Sequence, residues 1–459
     1  MNAVFCSASL APWDALPHPA SQPRVATRIA RALMLSVLLC MVFIPEYVQG
    51  NNDPAAKSVL YQTALAGLRL IDLLVLVLFV VHGFAGGCLR QRGRPLPRRL
   101  ALLIAGFLIA ILASLLYGLG RVGHNFFFDW RALALGLGFY VAYRFWIHTP
   151  GDARTAVLIF AVIAGIRLVT AFATYFRGGG DMLLDVRIPC FDGPTLSAVV
   201  FAGLLAVSLS TSGSGWNHRC LWILVGSSAM LLVVLCFRRS YWAEIVIGLI
   251  VLAVTSRGRS LRALLLLAFA GAIASMALGR PFMDRLSSLD FTQADSAYAE
   301  DNVDHVGDVL DAWDEVRASP VMGIGLGRAY PTWRIRDWKE ESVMVHNAPL
   351  HVWLKYGLLG LLFYLAFYFS LFDCLRQEAA HAPAGHGPVV RAILAYLAAQ
   401  FMVSLGFTPW PYSAVQSTNL IAFLLAVAFV REPLWKRQPF PLSRRASTPP
   451  LTSKMQFSA

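Results

Sequence analysis

Strongly polar side chains interrupt long apolar stretches of this chain at a small set of positions. They are Arg69 and Asp72, Arg167, the pair Arg238-Arg239, Glu244, His346-Asn347, His351, Lys355, Gln416 and Asn419. Such groups are costly inside a bilayer and are usually kept for function. Several are arginines, whose permanent charge suits an anionic ligand. Each has a plainer reading. Arg69 and Asp72 are three apart and can pair on one helix face. Arg238 and Arg239 can be end residues reaching for headgroups. His351 and Lys355 can simply line a hydrated crevice. Depth separates these readings, and depth depends on the elements that carry the residues.

Of 459 residues, 57% are hydrophobic and 14% charged, too little polar surface for a soluble domain. Apolar blocks such as Leu100–Leu119, Leu261–Leu278 and Leu358–Phe372 approach the roughly 20 residues that cross a bilayer. The expected class is therefore an all-α polytopic membrane protein. The net charge of +13 does not indicate nucleic acid, because the basic residues are scattered over short connections. The seven cysteines suggest no disulfide framework: only Cys190 is expected outside the cytoplasm and the membrane. No CxxC pair or other cluster has metal-ligand spacing. Met1–Pro23 lacks a short apolar core with a cleavage site, and Arg24, Arg28 and Arg31 surround the start of Ile29–Val48. That pattern reads as an uncleaved signal anchor.

About twelve spans are predicted: 29–48, 63–84, 100–119, 130–147, 154–175, 195–211, 220–236, 241–255, 261–279, 347–372, 390–408 and 414–430. The eighth is short enough to be re-entrant. Lysine and arginine are denser in alternate short loops, which places both termini in the cytoplasm. The organisation is then a cytoplasmic tail (1–28), nine helices (29–279), a large external loop (280–346), three helices (347–430) and a second cytoplasmic tail (431–459). The loop is acidic between Asp295 and Glu315. Val303, Val306, Leu310, Trp313 and Val316 recur there near helical spacing, predicting an amphipathic helix that ends before Pro320. The run Gly323-Ile-Gly325-Leu-Gly327-Arg328 and the stretch Trp333–Lys339, with Trp338, follow. In this topology nearly all the intramembrane polar residues fall in the outer halves of their spans, as expected of a site at the outer boundary.

Span ten opens with His346-Asn347. Asn347 is a suitable N-cap and Pro349 suits the first turn. After nine intervening residues come Gly357 and Gly360, which permit close helix contact. The pattern His-Asn, nine residues, then Gly-x-x-Gly resembles the signature of the O-antigen ligase and polymerase superfamily, where it also follows a large periplasmic loop. The segment Pro320-Val-Met-Gly323-Ile-Gly325-Leu-Gly327 is similar to that family's Pro-x-x-Gly-x-Gly, and Arg238-Arg239-Ser240 to its arginine turn. The likeness covers roughly 195–408; the first half matches in hydropathy alone. Lys355 stands where many members carry an acid, and His305 where many carry an arginine.

The resemblance implies a GT-C-like helical fold in a bacterial inner membrane. It also implies an enzyme that moves a glycan from undecaprenyl pyrophosphate to an acceptor hydroxyl without metal, nucleotide sugar or other cofactor. Arg238 and Arg239 would stabilise charge on the departing diphosphate. Arg328, Arg167, Asn347, Gly325 and Trp338 would bind substrate, with backbone N–H groups of 323–327 forming an anion nest. His346 would be the base, since imidazole titrates near neutrality, or a hydrogen-bonding residue. Trp333 and Trp338 suit sugar stacking or interfacial anchoring equally. Ligation of O-antigen to lipid A-core is the favoured reaction; polymerisation of repeat units and transfer to a protein share its chemistry. Besides these two substrates, membrane lipids are the expected partners, and the oligomeric state is open. An anion transporter is the competing class, but the paired broken helices and inverted repeats common in transporters are missing.

Overall fold

A computed structural model of the chain describes residues 25–44, 63–65, 68–89, 96–118, 126–179, 181–183, 186–189, 193–211, 216–256, 299–334, 341–342, 344–383, 385–406 and 415–430. The predicted span 261–279, Cys190, Trp338, most of the N-terminal tail and the C-terminal tail lie outside them. Among the described residues the protein is mostly helical. Its helices are α1 (Val25–Cys40), α2 (Leu70–Leu89), α3 (Arg98–Gly118), α4 (Phe126–Trp146), α5 (Pro150–Phe176), α6 (Gly193–Ser210), α7 (Trp216–Leu235) and α8 (Arg239–Thr255). They continue with α9 (Ala299–Ala318), α10 (Ala348–His381), α11 (Gly387–Ser404) and α12 (Val415–Ala428).

Each predicted span other than 261–279 falls on one of these helices. Among the described residues, five helices (α3, α5, α6, α10, α11) are both long and apolar enough to cross a membrane, and three shorter apolar ones lie within α2, α7 and α12. The short eighth span is a continuous 17-residue helix, α8.

Three antiparallel hairpins were not anticipated: β1 (Thr63–Leu65) with β2 (Leu68–Arg69), β3 (Asp181–Leu183) with β4 (Val186–Ile188), and β5 (Tyr330–Pro331) with β6 (Glu341–Ser342). The first corrects the start of span two. Residues 63–65 and 68–69 pair as strands, and the helix begins only at Leu70.

Helix α5 shows how local chemistry sets an end. Thr149 accepts from the Asp152 amide while Asp152 accepts from the Thr149 amide, and Pro150 opens the first turn. Between helices in a bilayer, apolar contact gains little over lipid, so packing and polar clasps hold the bundle. Helices α6 and α11 are central and largely buried. Phe160, Phe201, Phe423 and Tyr396 form a chain of ring contacts with centroids 5.3–5.6 Å apart. Each such pair contributes about 0.5–1.5 kcal/mol beyond burial.

The clasps also fix helix direction. Ser197, near the start of α6, meets Tyr396 and Gln400 near the end of α11; Ser208, near the end of α6, donates to Pro388 at the start of α11. These two helices are therefore antiparallel. Ser114 near the end of α3 donates to the Lys355 carbonyl near the start of α10, so that pair is antiparallel too. Asp72 meets Arg131 near the starts of α2 and α4, and His82 meets Trp146 near their ends, so those two run parallel. All these relations agree with the expected alternation.

Candidate active site at one end of the bundle

His346 lies immediately before α10 and is held by α9. Its backbone N–H donates to Asp308 Oδ2 at 2.8 Å, and its ring Nδ1 lies 3.0 Å from the same oxygen. The other carboxylate oxygen accepts from the Tyr330 hydroxyl, which also reaches the Met344 carbonyl at 2.8 Å. The Asp308 side chain is 1% exposed and that of His346 17%, so solvent reaches the imidazole but not the acid behind it. Burial, and then the adjacent Asp308 carboxylate, pushes the Tyr330 phenol well above its usual range, so it remains a donor. The His305 ring stands edge-to-face with His346, centroids 4.5 Å apart.

The residues that bind Asp308 explain a correction to the loop helix. Helix α9 ends two residues before Pro320, as its periodicity predicts. Its buried side only partly matches the expected apolar face, however: Val316 is buried and Trp313 packs beside it, but Val306 and Leu310 are exposed, while Asp308, Asp311 and Ala312 are buried. Two acids can lie inward because donors meet both. Asp311 accepts from the backbone N–H groups of Trp333 and Arg334 at 3.1 and 3.2 Å and from the Arg334 guanidinium at 2.5 Å. The cluster of Ala312, Val316, Ile324, Tyr330, Val345, Leu350 and Leu354 then seals α9 against α10.

Asn347 caps α10 by accepting from the Leu350 amide at 2.9 Å, and its Nδ2 donates to the Leu405 carbonyl just past α11. Its side chain thus joins two helices. Lys355 and His351 are fully buried. The Lys355 ammonium donates to the Arg328 carbonyl.

Gly357 does not mediate helix-on-helix contact as expected. With φ 69° and ψ −174°, it interrupts α10. The Pro320–Gly327 segment docks on that interruption. Ile324 N–H donates to the Leu354 carbonyl at 2.7 Å, Leu358 N–H to the Val321 carbonyl at 3.0 Å, and Trp353 Nε1 to the Pro320 carbonyl at 2.7 Å. The two glycine motifs are therefore halves of one junction. Gly323, Gly325 and Gly327 all have positive φ, the alternation from which nests are built. The amides of Gly323 and Ile324 are already committed to protein carbonyls. The amides of Gly323 and Ile324 are therefore not open to a ligand.

The arginine turn belongs to the same end. Phe237, with φ 52°, is the non-glycine residue in the left-handed region among those described, and it directs the chain from α7 into α8. Arg238 occupies the N-cap position of α8 and Arg239 its first turn. Arg238 borders Gly193 at the start of α6. Deeper, Glu244 and Gln400 bond at 3.1 Å, and Ser197 joins them. Glu244 is five residues past Arg239, and Gln400 is five before Leu405. At about 1.5 Å per residue, Arg239 and the Asn347–Leu405 contact stand at about the same level. His346 is the next residue.

The remaining expected residues are distributed differently. Arg328 donates to the Ile324 carbonyl at 3.4 Å and stands over Lys355 through its own carbonyl. Arg167 lies within α5, nine residues before its end, and its buried Nε has no hydrogen-bond partner among the described residues. Asp72 does not pair with the Arg69 side chain on a helix face. It accepts from the Arg69 backbone N–H at 2.9 Å and pairs with Arg131 of α4 at 2.7 Å, because Arg69 precedes the helix. Gln416 and Asn419 tie α12 to the carbonyls of Ile44 and Leu38, so they serve packing.

Sequence reasoning missed the roles of Asp308, Tyr330 and Arg131, and it noted His305 only as a departure from the family pattern. Asp308 shares a helical stripe with His305, Ala312 and Val316, and that shared stripe is the one sequence feature that could have pointed to it.

A buried carboxylate, an imidazole reachable by solvent and a level pair of arginines can together move a proton and receive an anion. The fold and these groups define a helical protein compatible with multi-pass insertion in a membrane, with a polar end. No family model matches this chain, and no curated protein is detectably similar to it.

Proposed function

We propose that this protein is a metal-independent glycosyltransferase of the O-antigen ligase type. It transfers a glycan from undecaprenyl pyrophosphate to a hydroxyl of lipid A-core oligosaccharide at the periplasmic face of a bacterial inner membrane, with both termini cytoplasmic. One observation carries the reading. His346 is gripped by a buried carboxylate, and counting along α8 and α11 from the Glu244–Gln400 bond sets it about level with the Arg238-Arg239 turn.

In this reading His346 takes the proton of the acceptor hydroxyl. Arg238 and Arg239 receive the diphosphate as its bond to the sugar breaks, offering forked donors to its oxygens. Arg328 and the amides of Gly325 and Leu326 add donors from the loop, and Asn347 and Arg167 border the substrate. Trp338 is a sugar-stacking residue. Polymerisation and protein glycosylation would use the same groups on other acceptors. The placement of His346 and the arginine turn at helix ends, rather than at mid-depth in paired broken helices, speaks against an anion transporter.

The test is deletion of the gene followed by analysis of surface and lipid-linked glycans, with complementation by His346→Ala and Arg239→Ala. Loss of ligation leaves long polymer on the lipid carrier. Loss of polymerisation leaves single repeats there, and loss of a transporter changes neither. Both variants are expected to insert normally and to fail to restore the lipopolysaccharide ladder; a normal ladder from both removes the assignment.

A further inference from the structure

The Asp308 carboxylate is placed to do more than fasten a loop. Its Oδ1 takes the Tyr330 hydroxyl, and its Oδ2 takes both the backbone N–H and the ring Nδ1 of His346. Two of those three contacts act on one histidine, and the backbone contact fixes where its side chain begins. The ring is thereby set in orientation as well as position. An ionised carboxylate only accepts, so the nitrogen facing it must carry the hydrogen. In a neutral imidazole that leaves Nε2 as the basic nitrogen.

We propose that Asp308 is a positioning residue that selects the Nδ1–H tautomer of His346, so that Nε2 receives the proton of the attacking hydroxyl. The inference rests on the glycosyl-transfer reading above. The acceptor oxygen bonds to the anomeric carbon as its proton passes to Nε2. The bond from that carbon to the diphosphate oxygen breaks, and its electron pair leaves with the diphosphate. His346 becomes an imidazolium with both nitrogens protonated, and the Asp308 carboxylate beside Nδ1–H stabilises that charge. Among the described residues, the titratable groups facing His346 are Asp308 and His305, both from α9; Tyr330 faces Asp308 and belongs to the loop.

A purely structural Asp308 would fasten the loop whatever the ring tautomer, and Asp308→Asn separates the two roles. Asparagine is the same size and keeps an oxygen for the Tyr330 hydroxyl or the His346 amide. It also presents an N–H, which favours the other tautomer. The assay uses the purified full chain, the host's undecaprenyl-pyrophosphate-linked glycan and lipid A-core. Asp308→Asn is expected to fold, with transfer at neutral pH lowered about 10²–10⁴-fold and little change in KM. Tyr330→Phe, which leaves both contacts to His346 in place, is expected within about tenfold of wild type, one hydrogen bond's worth. Transfer by Asp308→Asn at the wild-type rate, or an equal loss in Tyr330→Phe, overturns the positioning role.

A direct measurement needs no active variant. In ¹⁵N-histidine-labelled wild-type protein, the resonances absent from His346→Gln are expected to show protonated Nδ1 and unprotonated Nε2 once the ring is neutral. The opposite tautomer overturns the proposal. Wild-type transfer by His346→Gln would instead bring down the underlying reading, whatever the tautomer.

Discussion

Gly323 lies against the backbone of Gly357, and neither residue has room for a side chain. A Cβ on Gly357 would collide with the carbonyl oxygen of Val321, and one on Gly323 would meet the Leu354 carbonyl and come within 3.0 Å of the Gly357 nitrogen. Both residues have φ near +70°, a region costly for any side chain. The pairing joins the loop that carries Arg328 to the helix that follows His346.

Gly357→Ala and Gly323→Ala are therefore expected to destabilise the protein by more than the roughly 1–2 kcal/mol of a left-handed alanine, because backbone rather than a pliant side chain is in the way. Thermal unfolding in detergent measures this. Gly165, which has open space around it, is the control: Gly165→Ala is expected to be neutral or slightly stabilising, by up to about 1 kcal/mol.

Asp72 and Arg131 link the starts of α2 and α4 through a largely buried ion pair. Removing either partner alone leaves a charge stranded and is expected to cost about 3–5 kcal/mol. The double replacement with apolar residues should cost much less than the sum. A double-mutant cycle on the unfolding midpoint checks this, and additive losses would mean that the pair is not coupled.

Tyr330 predicts a pH dependence. Its phenol is held above the usual range in the native protein but ionises near about pH 10 once unfolded. Its contribution is therefore fully present below about pH 10 and falls as pH rises toward the native value. Tyr330→Phe is expected to lose about 1–2 kcal/mol at pH 8. Its deficit against wild type should narrow above about pH 10, in paired melts at the two pH values. A deficit constant with pH would contradict the burial argument.

Asn347 caps α10 with its oxygen and holds Leu405 with its nitrogen. Asn347→Ala is expected to cost about 1–2 kcal/mol, while Asn347→Asp keeps the cap and loses only the donor to Leu405. Aspartate should therefore fall between wild type and alanine in stability, and equal losses in both variants would put the whole effect on Leu405.

The amino-acid order determined the helices. Runs of apolar residues long enough to satisfy their own backbone in lipid leave the chain little alternative, and Asn347, Pro349 and Pro320 marked ends that the fold respects. It also disclosed where charge would gather, because ionisable groups in apolar runs are rare enough to count. Only the tertiary structure decided the partners. Asp72 took Arg131 from 59 positions away, Asp308 turned inward against its helix's apolar stripe, and Gly357 met a loop instead of a helix. The physical reason is common to all three. Local periodicity reports which side of a helix is greasy, whereas a buried polar group is stabilised by whichever distant donor reaches it, and a positive φ is set by the neighbouring backbone it must admit.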